Sequence, residues 1–443
     1  MVRIGAFCFP GTGHINPMTA LARRLRERGH EVVLFGIADI EDRVRATGTE
    51  FWEIGATDYP SGTLQALDRR LGELKGLASF RFTVERVKNT ARMVLRDGPE
   101  AVRRARVEAL LVDEADMGGS VAEYLGLPFV SVAFFPPLIQ DSRIPPFCFS
   151  WGVGRGPLSR LRNRAGMRLL STIAAPIYSV VNKQRRVWGL KPLNRSTDAL
   201  SPLAQIAQLP KALEFEVGEL PSFLHYTGPF VDARMRTRVE FPWELLDGRP
   251  VVYASLGTLQ NGSEDIFRTI AAACAGLDAQ LVMSLGGGLD PERVGSLQGD
   301  PLVVRYAPQL EIVKRAAAVI THAGLNTVLE SLAEGVPLVC LPLGNDQPGV
   351  AARVAARGAG LVVSRIGLTV ERLRTAVRAV LEKDVYRRSA QRVQSAMGQV
   401  DGLARAADVI EDALHIRIPI LADRAPGVDE SSTGGGIRAI ASG

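Results

Sequence analysis

The sequence predicts an α/β protein made of two doubly wound domains that face each other across a cleft. Three observations predict it. The chain has 443 residues, more than one hydrophobic core holds, since cores stop growing near roughly 250–300 residues. Short apolar runs alternate with stretches of helical spacing, first over residues 2–133 and again from about residue 250. The opening residues already read as strand, glycine-rich turn, helix and strand, a βαβ unit that demands a parallel sheet covered by helices.

The elements follow in order. Residues 2–9 are an apolar run suited to a buried parallel strand. Pro10 to Gly13 forms a turn. The helix predicted for 15–28 carries Ile15, Met18, Leu21, Ala22 and Leu25 on one face, with Pro17 in its first turn and Gly29 in the capping position. Residues 31–35 form the next strand. A strand over 109–112 runs into Asp113, a helix follows through Tyr124, and 127–133 is again a strand. Residues 134–151 are aromatic, proline-rich and irregular, and 155–190 are helical and basic. The second series has strands at 251–255, 280–284, 302–305, 318–321 and 338–341, with helices between them. The expected organisation is a first domain over 1–228, a linker over 229–248 and a second domain over 249–401. A final helix over 402–417 is expected to return to the first domain, and 418–443 reads as a disordered tail.

Composition narrows the function. The hydrophobic fraction of 46% and charged fraction of 23% belong to a folded globular chain. A net charge of +6 suits a polyanionic ligand such as a nucleotide diphosphate, or contact with an anionic membrane. No long basic run with interleaved aromatics points to nucleic acid. Cys8, Cys148, Cys274 and Cys340 are scattered without a CxxC pair, so neither a disulfide framework nor a zinc site is indicated, and a reducing cytoplasm fits. The N-terminal apolar run is too short for a signal peptide, and no apolar stretch approaches the roughly 18 residues of a spanning helix.

Three constellations carry chemistry. In FPGTGHINP, the glycines let the backbone approach a ligand closely, and the spacing is not GxGxxG. His14 falls at a helix N-terminus just beyond the first strand, where the helix dipole disfavours imidazolium, so a neutral imidazole can accept a proton there. A base needs an orienting carboxylate. Asp113, which directly follows a strand of the same sheet, is favoured over Glu114 and Asp116. The second constellation is YAPQLEIV followed by ITHAGLNTVLESLAEGVPLVCLPLGNDQPG. The helix beginning at Gly324 offers free N–H groups to a diphosphate, with His322, Asn326 and Thr327 as further donors. Glu330 lies four residues past Asn326 and suits the vicinal hydroxyls of a ribose. Asp346 and Gln347 suit sugar hydroxyls, and Tyr306 could stack on a base. The third is ASLGTLQNG, where Ser255, Gly257 and Thr258 form another small-residue turn at a strand end.

At these residues the chain resembles the UDP-glycosyltransferases of the plant and bacterial small-molecule type. The signature from YAPQ to GNDQ covers about forty residues. SPLAQIAQLP, YASLGTLQ, FRTIAAAC and NDQPGVAARV are similar to bacterial zeaxanthin glucosyltransferases. The resemblance implies a GT-B fold and inversion at the anomeric carbon. It implies that His14 is the base and Asp113 its partner, that Tyr306 stacks on uracil, and that Ala307 and Gln309 flank the base. It assigns the diphosphate to Ser255, Thr258, His322, Asn326 and Thr327, beside Gly13, Gly257 and Gly324. It assigns the ribose to Glu330 and the sugar to Asp346 and Gln347. Two positions depart from the pattern: Leu325 stands where plant members carry Trp, and Asn345 where the carotenoid enzymes carry an apolar residue.

The expectation is therefore transfer of a hexose, glucose first among them, from a UDP-sugar to a hydroxyl of a lipophilic small molecule such as a carotenoid. No D-x-D pair occurs, so no metal and no cofactor beyond the UDP-sugar co-substrate is expected. The acceptor groove is assigned to Phe134, Phe135, Pro136, Pro137, Phe147, Phe149 and Trp151, with the helices near 60–95 and 155–190. The arginines of 155–190 read as a solvated face or a membrane-facing patch. The chain is expected to be a monomer or weak dimer. Other natural products as acceptor, a UDP-sugar 2-epimerase, a nicotinamide oxidoreductase and a non-catalytic nucleotide-sugar module are the rival readings.

Overall fold

In the computed structural model of the protein, which describes residues 1–421 apart from 75, 155, 219, 237 and 258–263, thirteen strands form two parallel sheets. The first sheet contains β1 (Arg3–Phe7), β2 (Glu31–Gly36), β3 (Glu50–Glu53), β4 (Ala109–Asp113), β5 (Phe129–Ala133), β6 (Gln205–Ala207) and β7 (Leu224–Tyr226). The second contains β8 (Val251–Ser255), β9 (Gln280–Ser284), β10 (Leu302–Val304), β11 (Ala316–Thr321), β12 (Leu338–Cys340) and β13 (Gly360–Val362). The spatial orders are β3-β2-β1-β4-β5-β6-β7 and β10-β9-β8-β11-β12-β13. Each order reverses once, between β1 and β4 and between β8 and β11. In open α/β sheets a ligand crevice opens beyond the carboxyl ends of the strands at such a reversal.

The buried strands are near-continuous apolar runs, as helices on both faces require. β4 and β5 are fully buried along their length. Strands β3, β6, β7 and β13 carry no strong periodicity of their own and were not expected. Three of them are three residues long, and they exist through pairing with β5, β6 and β12.

The helix after β1 runs Thr12–Glu27, three residues earlier than the sequence predicts. His14 therefore sits inside its first turn, and Pro17 lies within the helix rather than near its start. A proline there has no N–H to give the carbonyl four residues back, so Gly13 is left without its usual intrahelical donor. Gly29 does take the left-handed conformation of a helix terminator, at φ +89°.

The final helix, Gly402–Ile416, packs its buried Leu403, Ala406, Ile410 and Ala413 into the first domain's core. Arg28 holds it through Asp408 at 2.6 Å and Glu411 at 2.9 Å. The packed chain runs past 418, where the tail was expected to begin. Ile420 is buried, its N–H donates to the Leu203 carbonyl at 2.8 Å, and its carbonyl bonds His225 Nε2 at 2.9 Å. Residues 422–443 of the expected tail lie outside the described residues.

The two sheets share an apolar seam. Ala133, Ala207, Leu209 and Leu213 from the first domain belong to one buried cluster with Tyr253, Leu325 and Val350 from the second. An ion pair closes its edge: Arg353, on the helix Gln347–Ala356, meets Glu214 at 2.8 Å with both side chains at most 2% exposed. Tyr226 also donates to that carboxylate at 3.1 Å. Removing one member strands the other in apolar surroundings. Arg353→Met should cost about 3 kcal/mol, read as a lower midpoint in urea unfolding. Adding Glu214→Leu should recover most of the loss, because a buried pair replaced whole by apolar groups is near neutral.

Candidate functional site

β1 and β4 are neighbours at the reversal point of the first sheet, with Phe7 opposite Val112 in register. The residues just beyond their ends are therefore forced together. His14 Nδ1 lies 2.6 Å from Asp113 Oδ2. Asp113 is fully buried, and it also accepts the backbone N–H groups of Phe9 at 3.1 Å and Ala115 at 3.0 Å. A carboxylate in this position only accepts, so the neutral imidazole carries its proton on Nδ1 and its lone pair on Nε2. The geometry separates Asp113 from its competitors. Glu114 is occupied by the Leu138 N–H at 2.8 Å and the Gln205 amide at 2.5 Å, and Asp116 by the Gly118 N–H at 2.8 Å. Burial, with the nearby Asp113 charge adding, pushes the Glu114 carboxyl up to about 8 and that of Asp116 to about 7.

The expected dipole-lowered imidazole is corrected by its surroundings. Burial favours neutral His14, which stands among the rings of Phe9, Phe134 and Phe135. The charge and hydrogen bond of Asp113, with Asp346 across the cleft, outweigh burial and hold His14 above its ordinary range. His14 thus keeps a proton more tightly than a free imidazole.

The second sheet repeats the arrangement. Ser255 ends β8 opposite Thr321, the last residue of β11, so the loops beyond them converge. The His322 ring is slotted between two glycines: a Cβ on Gly257 would come within 2.7 Å of it and one on Gly324 within 2.5 Å. Burial pushes His322 down to about 4, so it is a neutral hydrogen-bonding group rather than a cation. Ala323 adopts φ +68° without being glycine, at a cost of about 1 kcal/mol. The helix Leu325–Ala333 that follows has Gly324 at its N-terminus and no side-chain cap. Its first N–H groups are the orphans that a helix start presents to an anion.

Both ensembles open on one cavity of about 570 Å³. It is lined by Gly13, His14, Ser255, Gly257, Tyr306, Ala307, Gln309, His322, Gly324, Asn326, Thr327, Glu330, Asp346 and Gln347. Asp113 stands behind His14, and Thr258 lies outside the described residues. Tyr306 is 47% exposed, with its hydroxyl packed over Gly287. Gln347 uses its amide carbonyl to hold the loop before it, accepting the N–H groups of Leu343 at 2.7 Å and Gly344 at 3.0 Å.

Some predicted residues already have partners. Glu330, 2% exposed, is paired with Arg236 from the linker and accepts the Gln309 amide at 2.6 Å. Burial pushes its carboxyl up and Arg236 draws it partly back. Asn326 spans the domains: its amide nitrogen donates to the Gly13 carbonyl at 3.0 Å, and its amide oxygen accepts from Gln208 at 2.9 Å. That carbonyl is the one Pro17 leaves without a helical donor. Asn345 takes φ +53°, a conformation Asn tolerates, and bonds Thr83 of the helix Gly76–Ala105 at 3.2 Å. Arg236, Gln208 and Thr83 carried no signal in the sequence, because nothing in their local pattern points across the cleft.

The cavity's other wall is apolar. Phe134, Phe135, Pro137 and Phe147 line it as expected, together with Phe80, Val84 and Leu138. Pro136, Phe149 and Trp151 do not. Phe149 and Trp151 stack on each other at 4.1 Å, and Trp151 is covered by Arg162 at 4.8 Å.

Among known proteins, residues 245–403 match the family model "UDP-glucoronosyl and UDP-glucosyl transferase", and residues 9–139 match the "glycosyltransferase family 28 N-terminal domain". A zeaxanthin glucosyltransferase of Pantoea ananas is 30% identical over 95% of this chain and 98% of its own. A 4'-demethylrebeccamycin synthase of Lentzea aerocolonigenes is 28% identical over 91% of this chain and 97% of its own. Two solved structures share the fold: the glycotransferase of kitacinnamycin, with TM-score 0.72 and 22% identity over 93% of this chain and 99% of that one, and the calicheamicin glycosyltransferase, with TM-score 0.71 and 23% identity over 95% and 100%.

Histidine titration by NMR checks the electrostatics. His14 should titrate above 6.5 and His322 at about 4. Asp113→Asn should move His14 downward, because the charge favouring imidazolium is gone.

Proposed function

The chain belongs to the UDP-glycosyltransferase family and has its GT-B fold, and on that premise we propose that it transfers a hexose, glucose first among candidates, from a UDP-sugar to a hydroxyl of a lipophilic small molecule, with inversion at the anomeric carbon. The observation that carries this reading is the cavity that both domains share. A carboxylate-held imidazole stands on one wall, a cradle of helix N–H groups and small residues on another, and aromatic rings on the third. A carotenoid such as zeaxanthin is the preferred acceptor, supported by the apolar wall and by the zeaxanthin glucosyltransferase relatives. The 4'-demethylrebeccamycin synthase relative supports the second reading, another natural product such as a flavonoid, macrolide or terpenoid.

In the proposed reaction the acceptor oxygen attacks the anomeric carbon while His14 Nε2 takes its proton. The bond from that carbon to the diphosphate breaks, and UDP leaves with the electron pair. Asp113 steadies the imidazolium. The diphosphate would rest on the N-terminus of Leu325–Ala333 with Ser255, His322 and Thr327 as donors, the helix dipole meeting the charge without a metal. Asn326 would add a donor to the diphosphate through its second amide N–H, the first being held by the Gly13 carbonyl and the amide oxygen by Gln208. Tyr306 would carry the uracil between Ala307 and Gln309. Glu330 would bind the ribose once Arg236 moves off it, and Asp346 and Gln347 would hold the sugar. The four cysteines are unpaired, in keeping with action in a reducing cytoplasm.

His14→Ala should leave UDP affinity within about twofold and lower transfer by about 10³-fold, measured as UDP release with and without acceptor. UDP release that needs no acceptor would favour an epimerase or hydrolase instead. The acid limb of kcat/KM should lie above pH 6.5, since His14 must lose its proton to act and Asp113 holds that proton on. A panel of UDP-sugars against carotenoid, flavonoid and macrolide acceptors, read by product mass, tests the substrate reading. Glucosylated flavonoid or macrolide with no carotenoid product would replace the preferred acceptor.

A further inference from the structure

The helix Pro157–Val187 has a second face that the cavity does not use. Its inner side lines the apolar wall through Met167, Leu170, Ala174, Ile177 and Tyr178. On its outer side Leu158 is 80% exposed, Leu161 62% and Leu169 52%. With exposed Ala165 they recur at three- and four-residue spacing, so they form one stripe. Exposed Arg160, Arg164 and Arg168, four apart, form a row beside it. No Asp or Glu occurs between 157 and 187. Asp141, whose charge reaches Arg160, is itself held by Arg143 at 2.5 Å.

Leucines this exposed on a soluble surface mark a contact, and the arginine row selects its sign. We propose that this face of the helix lies on an anionic phospholipid bilayer, with the leucine stripe at the acyl boundary and the arginines among the headgroups. A second copy of the chain fits poorly, because a twofold contact on this face would set like arginine rows against each other with no carboxylate on either helix. Among the described residues no helix is long and apolar enough to cross a membrane, so the contact is peripheral. Ser171 is exposed and also lines the cavity, which puts the mouth of the apolar wall within one turn of Leu169. A lipophilic acceptor would pass from the lipid into the cavity there. That last step rests on the acceptor reading above, whereas the lipid contact does not.

The test is sedimentation of the full chain with phosphatidylcholine vesicles, with and without phosphatidylglycerol. The wild type should bind the phosphatidylglycerol vesicles, and it should be released by high salt. The pair Leu161→Asp and Leu169→Asp should lower the partition about tenfold or more, and the triple change of Arg160, Arg164 and Arg168 to Gln about a hundredfold. Unfolding midpoint and UDP affinity should stay at the wild-type values, which separates lost contact from lost fold. Wild-type protein left in the supernatant with anionic vesicles would overturn the proposal. So would vesicle-free self-association that Leu161→Asp abolishes, which identifies the stripe as a dimer face. Vesicle binding without any lipophilic product would leave the membrane contact standing and remove the acceptor reading.

Discussion

The site depends on a carboxylate shut away from solvent whose charge is shared with the His14 ring. Asp113 is wholly buried at the end of a central strand, and its charge is met by two backbone N–H groups, the Cys8 thiol at 3.6 Å and the His14 ring. Removing a charge from water is expensive unless every acceptor site is used. The ring is therefore not an optional partner: it completes the solvation of the carboxylate, and the carboxylate in return fixes its tautomer and raises its proton affinity. The loop Phe9–Gly13 and the helix start at Thr12 follow from the need to bring both to one point.

The same economy governs the domain contact. Pro17 withholds an N–H from the Gly13 carbonyl, and Asn326 of the other domain donates to it instead. Asn326 is in turn anchored by Gln208. Farther along the seam Arg353 and Glu214 satisfy each other away from water. These contacts and the shared apolar cluster set the distance between the two reversal points, and so the width of the cavity between them. The left-handed backbone at Asn345 lies on its lining, and that at buried Ala323 lies between His322 and Gly324, which line it.

The cavity walls differ because their neighbours differ. Where strand ends and a helix start converge, the lining is backbone N–H and small polar groups. Where Gly76–Ala105 and Pro157–Val187 lean over, it is rings and aliphatic chains. One wall is thus suited to an anion and another to a greasy molecule, with the imidazole at their junction.

Much of this was legible in the chain. Apolar runs alternating with helical spacing determined two parallel sheets, since only buried strands and covering helices absorb such a pattern. GTGH, THAGLNTVLE and GNDQ marked the strand ends that carry chemistry, and Asp113 could be chosen because it directly follows a strand. The short strands β3, β6, β7 and β13 were not legible, because EFWE, QIA, LHY and GLV lack the all-apolar run that marks equally short β10 and β12, and acquire strand identity only from a partner. Nor was the sign of the His14 shift, which is a balance of burial against charges up to 332 positions away in Asp346. Tertiary structure alone decided that Arg236 covers Glu330, that Asn326 serves the domain contact, and that Phe149 and Trp151 turn away from the groove. A local sequence specifies what its own backbone can do, whereas which groups meet across a cleft depends on how two separately folded surfaces satisfy each other's unpaired atoms.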